Sequence, residues 1–276
     1  MIYLTSDIHH ASLNTGNQSH CNISEIETAT IMSELIFERK IKATYFISGQ
    51  SFDEEWSELK KFVMHSNIAL GGHNYNCFKP DLLHRISNKF LNSYNGPRFY
   101  QISDTKKTIE AIKRKTGKTI SLWRNHMYMH GKYTDDVLPK CGITICSDGV
   151  KKDSNGPCKQ TPNYFHFPIN IIPDHEHLIH AERTPEWIKW WQERYNWSDD
   201  FGPDSYYIEE WTELVLSQLK HNEKNGIISN MIIHPITMYL CDEFKSLKKI
   251  LDFIATCENS NYDELERSLL KPGAAA

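Results

Sequence analysis

The sequence predicts an α/β protein built around a largely parallel sheet. Short apolar runs rich in β-branched and aromatic residues alternate with amphipathic stretches of helical period, which is the pattern of repeated β-α-β units. The chain has 276 residues, near twice the usual domain size, and single α/β barrels commonly reach this length. Because no repeat or long linker divides the chain, we expect one domain over 1–273 and a cloning tail at 274–276.

Local signals justify the elements in order. Asn22, with Glu25 three residues later, fits the start of the first long helix, Gly49 closes the second strand, and Gly117 ends a later helix. The predicted strands cover about 1–8, 41–49, 68–70, 119–123, 143–146, 165–172 and 230–235. The predicted helices cover about 23–39, 56–63, 104–115, 133–140, 205–222 and 243–257.

Composition excludes several classes of function. A net charge of -4 gives no general attraction to phosphate backbones or anionic lipid, so we expect no nucleic-acid partner. The N-terminus lacks a signal-peptide pattern, and no apolar run approaches the length of a membrane span. Seven scattered cysteines without a Cys-x-x-Cys pair predict reduced thiols rather than a disulfide framework. The expected location is therefore the cytoplasm.

Polar side chains collect at five predicted strand ends, which is where parallel α/β folds carry their ligand sites. A single histidine there is more often structural, but carboxylates, imidazoles and an arginine that converge on one face are what a metal-assisted hydrolase requires. These residues are Asp7 with His9 and His10, then His73, the run Arg124-Asn125-His126, Asp148, and His234.

Five short motifs follow one another with the order and spacing of a known family. They are Thr5-Ser6-Asp7, the second-strand run 43–49, the run from His73 to Cys77, Gly117-Lys118 with Trp123-Arg124, and the run from Ile232 to Pro235. Through them most of the chain resembles the polysaccharide deacetylase family of carbohydrate esterases, which includes chitin and peptidoglycan deacetylases. The resemblance implies an irregular (β/α) barrel of about seven strands, with the aromatic segments 77–101 and 181–204 as walls over the strand ends.

The resemblance also implies a metal-dependent hydrolysis that removes an acyl group, most simply N-acetyl, from a carbohydrate. A divalent ion, expected to be zinc, would polarise the acyl carbonyl and hold the attacking water. His73 and His9 are the expected ligands. Both ligand assignments are predictions.

Four further residues receive catalytic roles from the same resemblance. Asp7 is the expected base, and Arg124 would orient it and keep it ionised. His234 would protonate the leaving amine, with Asp148 supporting its imidazolium.

The chain departs from the family pattern at the metal site. Ile8 stands where many members have a metal-binding aspartate, and His9, on the same face of the strand as Asp7, is a substitute. Cys77 occupies the place of the second metal histidine, where it is either a thiolate ligand or a small buried residue, the latter being favoured. The arginine motif lacks the usual prolines and has Asn125 and His126 instead.

Two alternatives of different class remain open. One is a carbohydrate-binding protein of the same fold whose metal site is eroded. The other is an amidohydrolase acting on a small amide through His175 and His177, with His180 nearby, since His-x-His on a strand projects both rings to one face. The tryptophans between 187 and 197 fit sugar stacking but are more simply predicted to pack on the barrel wall.

Overall fold

In a computed structural model that describes residues 1–271, seven parallel strands curl into an irregular barrel. The predicted domain end at 273 and the predicted tail at 274–276 lie outside the described residues. Along the sheet the strands follow the order β6-β7-β5-β4-β3-β2-β1-β8; only β6 runs antiparallel, and β9 pairs with the start of β1. The strands are β1 (Ile2–Ile8), β2 (Ala43–Ile47), β3 (Ile68–Gly72), β4 (Leu122–Trp123), β5 (Ile145–Cys146), β6 (Cys158–Thr161), β7 (Tyr164–His166), β8 (Ser229–Ile233) and β9 (Asn259–Ser260).

An irregular seam joins the two sides of the barrel. The backbone N–H of Asn170 donates to the carbonyl of Asn230 at 3.0 Å, and Asn230 N–H donates to Asn170 Oδ1 at 2.7 Å. The strand predicted over 165–172 is therefore too long: β7 ends at His166, because Pro168 has no N–H to continue a ladder. The fold class and the approximate number of strands are confirmed.

Thirteen α-helices connect and cover the strands within residues 1–271. Gly117, with a φ of 75°, ends α6 as predicted, whereas the cap of α2 is Ser24 rather than Asn22. Ser24 Oγ accepts from the Glu27 N–H at 3.1 Å, and Glu27 Oε2 accepts from the Ser24 N–H at 2.6 Å. The helices are α1 (Gly16–Ser19), α2 (Glu25–Glu38), α3 (Gly49–Glu54), α4 (Trp56–Val63), α5 (Asp81–Leu91), α6 (Arg98–Thr116), α7 (Thr134–Val137), α8 (Asp174–His177), α9 (Pro185–Tyr195), α10 (Ile208–Asn225), α11 (Pro235–Asp242), α12 (Lys245–Ala255) and α13 (Tyr262–Leu269).

Two glycines let β3 pass close to large aromatic side chains. A Cβ on Gly71 would lie 2.4 Å from the Phe46 ring, and one on Gly72 would lie 2.3 Å from the Trp123 ring. Because neither contact leaves room for a methyl group, this approach requires glycine. It delivers the next residue, His73, to the carboxyl edge of the sheet in a fully buried position.

The peripheral segments differ from prediction in one respect. The insert over 77–101 contains α5 and the start of α6, in line with the expected short helices. Helix α9, by contrast, has no buried residue, so the prediction that its tryptophans pack on the barrel wall is wrong for Trp190, which is half exposed. None of the helices described between residues 1 and 271 is long and apolar enough to cross a membrane.

Candidate active site

The carboxyl ends of β1, β3, β4, β5 and β8 bring five of the predicted site residues to one edge of the barrel. All five are buried: Asp7, His73, Arg124, Asp148 and His234. Parallel strands meet there with the same polarity, so residues distant in sequence become neighbours. Whether each side chain can perform its predicted role depends on the groups that it contacts at this edge.

A buried ion pair links β1 to β4. Arg124 Nη1 donates to Asp7 Oδ1 at 2.8 Å, and both side chains are almost completely shielded from solvent. The same guanidinium donates from Nε to the Ser147 carbonyl at 2.9 Å and from Nη2 to Ser147 Oγ at 2.7 Å, and it lies 4.4 Å from the Phe46 ring centre. Two acceptors on Ser147 thus hold Arg124 in one orientation, and Arg124 in turn orients the Asp7 carboxylate.

The Nε2 lone pairs of His9 and His73 point toward each other. Each ring has an acceptor beside Nδ1, Glu25 Oε1 at 2.6 Å for His9 and the Arg124 carbonyl at 3.0 Å for His73, which places the ring proton on Nδ1. The two Nε2 atoms are 3.2 Å apart. Burial, with the positive charge of Arg124, holds the pKa of His73 well below its usual value, which favours the neutral ring. Two opposed lone pairs at this distance are a geometry that a cation between the rings would satisfy.

His126 completes a third side of this site, and sequence analysis did not assign it as a ligand. Its Nδ1 lies 3.4 Å from His73 Nε2. A tetrahedral zinc ion with bonds of about 2.0–2.1 Å holds two ligand nitrogens about 3.3 Å apart, so both nitrogen separations in the cluster fit such an ion. The only signal in the sequence was the position of His126 just after a strand.

A buried polar chain places His126. Its backbone N–H donates to Asn74 Oδ1 at 2.8 Å, and Asn74 Nδ2 donates to Asp104 Oδ2 at 2.9 Å. The next residues, Met127 and Tyr128, have φ values of 58° and 37°, a backbone region that non-glycine residues rarely occupy. Such strain is concentrated at functional sites in proteins, where the surrounding structure maintains it.

Cys77 lies beside the three histidines, its Sγ within 4.8 Å of their facing nitrogens. Burial raises the pKa of this thiol well above its usual value, and the nearby Asp104 and Glu25 carboxylates act in the same direction. The thiol also donates to the His73 carbonyl at 3.7 Å. The residues present therefore fit a divalent ion held by His9, His73 and His126, with the Cys77 thiol beside them.

Replacing His126 separates its role from that of Cys77. We expect His126→Ala to weaken zinc binding by at least the roughly 10- to 100-fold that loss of an outer-sphere partner costs, because a direct ligand is removed. Cys77→Ser is expected to have the smaller effect on affinity, since the Cys77 thiol already donates to the His73 carbonyl. Zinc titration against a competing chelator measures both, and the cobalt-loaded protein should lack a thiolate charge-transfer band. A large loss of affinity in Cys77→Ser would make Cys77 a ligand.

His234 pairs with a carboxylate that the sequence analysis did not assign. Its Nδ1 lies 2.7 Å from Asp174 Oδ1, and its backbone N–H donates to Asp174 Oδ2 at 2.5 Å. Burial alone would lower the pKa of His234, but the charge and hydrogen bond of Asp174, with the charges of Asp7 and Glu176, raise it to about 9. His234 is thus an imidazolium at neutral pH.

Asp148 has a different partner from the one expected. Its carboxylate accepts from the Asn125 backbone N–H at 2.7 Å and from Asn125 Nδ2 at 2.6 Å. The prediction that Asp148 supports His234 is therefore wrong, because Asp174 occupies that position. Asp148 instead fixes the backbone between Arg124 and His126.

The remaining histidines do not join the cluster of His9, His73 and His126. Residues 174–177 form the short helix α8, not the strand that His-x-His ligation would need, and His177 Nε2 contacts Asp199 Oδ2 at 3.0 Å. The ring of His175 lies 5.3 Å from that of His234, so it lines the site from the acid side. His10 bonds Ser48 through Nδ1 at 3.0 Å.

A pocket of about 290 Å³ opens beside the histidine cluster. It lies between the loop after β1 and the insert, so the insert forms a wall of the site as predicted. Its volume is at the small end of the range for ligand sites. Its lining includes Leu13, Cys77, Phe78, Tyr94, His126 and Met127.

The fold is a (β/α) barrel of the kind found in solved polysaccharide deacetylase structures. No protein-family model matches the chain, and no curated protein sequence matches it. Among solved structures, a probable polysaccharide deacetylase from Pseudomonas aeruginosa aligns with a TM-score of 0.67 at 10% identity, covering 100% of this chain and 93% of its own. The Puue allantoinase aligns with a TM-score of 0.67 at 9% identity, covering 100% and 92%. The peptidoglycan deacetylase PdaC from Bacillus subtilis has a TM-score of 0.51 at 12% identity, covering 97% and 90%.

Proposed function

We propose that this protein is a metal-dependent hydrolase that removes an acyl group, in the simplest case N-acetyl, from a carbohydrate or glycan precursor. The observation that carries the proposal is the joint presence of three facing histidines, a buried carboxylate and the His234–Asp174 pair at one edge of the barrel. The similarity to a probable polysaccharide deacetylase and to a peptidoglycan deacetylase supports the same chemistry.

The cation would be held by His9, His73 and His126. When bound, a divalent ion supplies a Lewis acid next to the scissile carbonyl. Glu25 and the Arg124 carbonyl orient the first two rings by accepting from their Nδ1 atoms, which is the usual outer-sphere arrangement of metal-binding histidines. Three neutral imidazoles suit a zinc-like ion.

Asp7 and His234 carry the two proton transfers. Asp7 takes a proton from the attacking water as the oxygen bonds to the acyl carbon, while Arg124 keeps the carboxylate aligned. His234 then gives its Nε2 proton to the leaving nitrogen as the carbon–nitrogen bond breaks. Asp174 holds the His234 ring by its Nδ1, so the proton that is transferred lies on the opposite nitrogen.

A small cyclic or linear amide is the second candidate substrate. The allantoinase similarity and the modest pocket volume favour it, and the same Asp7 and His234 would serve, in place of His175 and His177. The two candidates differ in substrate only, so a comparison of substrates separates them.

Acetate release from acetylated mono- and oligosaccharides, with metal analysis of the same sample, tests the proposal. We expect zinc-dependent release that a chelator abolishes and added zinc restores. Turnover of small amides alone would favour the second candidate. No stoichiometric ion, with no release from either class after metal addition, would indicate a binding protein of this fold.

The pH dependence of turnover tests the role of His234. Because its pKa is raised to about 9, we expect kcat/KM to fall as the pH rises through about 9, where the acid loses its proton. Asp174→Asn removes the negative charge beside His234, and losing such a partner typically lowers a histidine pKa by about 1–3. The alkaline limb of the pH profile, which is the fall of kcat/KM at high pH, should therefore move to lower pH. Asp148→Asn is the matched control and should leave the limb in place. An unmoved limb in Asp174→Asn would exclude His234 as the acid.

A further inference from the structure

A second group of metal-ligating side chains lies outside the active site. We call His130, Asp135 and His166 the outer cluster. Asp135 connects the other two: His130 Nε2 is 3.3 Å from Asp135 Oδ2, and His166 Nε2 is 2.5 Å from Asp135 Oδ1. The two imidazole rings are 4.6 Å apart and nearly perpendicular. All three ligand atoms lie within 4.8 Å of one another, so one ion could contact all three.

Outer-sphere partners stand behind two of these ligands. His130 Nδ1 faces the buried carboxylate of Asp148 at 3.6 Å, with its other nitrogen toward the cluster. A metal-binding histidine commonly has a carboxylate at its second nitrogen, which fixes the tautomer and raises the basicity of the ligand. Tyr164 Oη donates to Asp135 Oδ1 at 3.1 Å and limits the rotation of that carboxylate.

We propose that the outer cluster is a second divalent-cation site. Two imidazoles and one carboxylate are a donor set for zinc, cobalt or nickel, and their side chains are 21–50% exposed, so an ion reaches them from solvent. Water would complete the coordination of an ion at this surface. The site is independent of the proposed hydrolase function, because it shares no ligand with His9, His73 and His126.

The outer cluster joins two segments that the sheet itself does not hold together. His130 follows β4 on the loop that also carries His126, Asp135 lies in α7, and His166 ends β7. An ion bound there would fasten this loop to β7. The role of the bound ion would therefore be structural. It would affect the position of His126 because His126 lies on the same loop as His130.

Zinc stoichiometry in the full-length protein tests the proposal. We expect the wild type to bind two equivalents, His166→Ala and Asp135→Ala one each, and the double variant His73→Ala/His166→Ala none. His166→Ala should also lower the melting temperature more in zinc than without it, because the variant loses the bound ion in addition to the contact with Asp135. Asp136→Ala is the matched control: it removes the next carboxylate, which pairs with Arg98 and Lys140 and lies outside the cluster.

The outcomes separate this proposal from the hydrolase proposal. One equivalent in the wild type, retained in His166→Ala and lost in His73→Ala, would overturn the outer site and show its residues to be an ion-paired group. One equivalent that is lost in His166→Ala and retained in His73→Ala would support the outer site while contradicting the active-site metal. Circular dichroism of each variant shows whether it is folded.

Discussion

Asp7→Asn is expected to reduce turnover by about 10²- to 10⁴-fold, the effect typical of losing a general base, while the protein keeps its metal. The amide has the size of the carboxylate and still accepts from Arg124 Nη1, but it cannot take a proton from water. The second carboxylate oxygen lies 3.7 Å from His73 Nδ1, so Asp7 is next to His73 but at the ring nitrogen that does not face the other two histidines. Steady-state kinetics and zinc analysis of the same preparation measure the two effects separately.

Two results would contradict this role for Asp7. If Asp7→Asn lost its zinc, Asp7 would be a ligand and the base would have to be another group. If the variant kept full activity, the mechanism would fail altogether. The remaining acidic candidates are already engaged, Asp148 with Asn125 and Glu176 with the hydroxyl of Tyr128. His73→Ala is the complementary variant, and in it we expect both zinc and activity to be lost.

Arg124→Met is expected to destabilise the protein by about 3–5 kcal/mol, because it leaves the buried Asp7 carboxylate without its partner. Arg124 and Asp7 are 0% and 1% exposed, so water cannot replace the lost ion pair. Methionine fills much of the space of the arginine stem, and a cavity therefore contributes little. Urea denaturation measures the change in the free energy of unfolding.

A double variant distinguishes the unpaired charge from lost packing. Asp7→Asn/Arg124→Met removes both charges, so it should be more stable than Arg124→Met alone. Equal stability of the single and double variants would mean that the contacts of Arg124 with Ser147 and Phe46, rather than the ion pair, account for the loss.

The succession of strands and helices was predictable because its signals are local. Alternating apolar runs, the glycine that ends α6 and the aromatic insert interrupted by proline and glycine each depend on a few neighbouring residues. The same reasoning located Asp7, His73, Arg124 and His234, because parallel strands deliver whatever follows them to one edge. Errors arose where a proline or a side-chain cap altered an element boundary, as at Pro168 and Ser24.

The partners within the site were not predictable from the chain. His126 reaches the histidine cluster because Asn74 and Asp104, from other segments, hold a loop with positive φ values. Asp174 rather than Asp148 contacts His234, since α8 packs at the end of β8. His126 and Asn74 are 52 residues apart, Asn74 and Asp104 are 30 apart, and His234 and Asp174 are 60 apart. Helix and strand periodicity relates only residues a few positions apart, so it carries no information about such pairs.

The residue types at the strand ends could thus be predicted from the sequence, because strand direction and the alternation of side chains depend only on local backbone geometry. The ligand set and the carboxylate behind the acid depended on how loops and helices pack over the barrel mouth. Which side chains contact one another in the folded protein depends on whether their volumes fit and whether their buried polar groups find hydrogen-bond partners. Both conditions involve residues from distant segments, so they arise only in the folded chain.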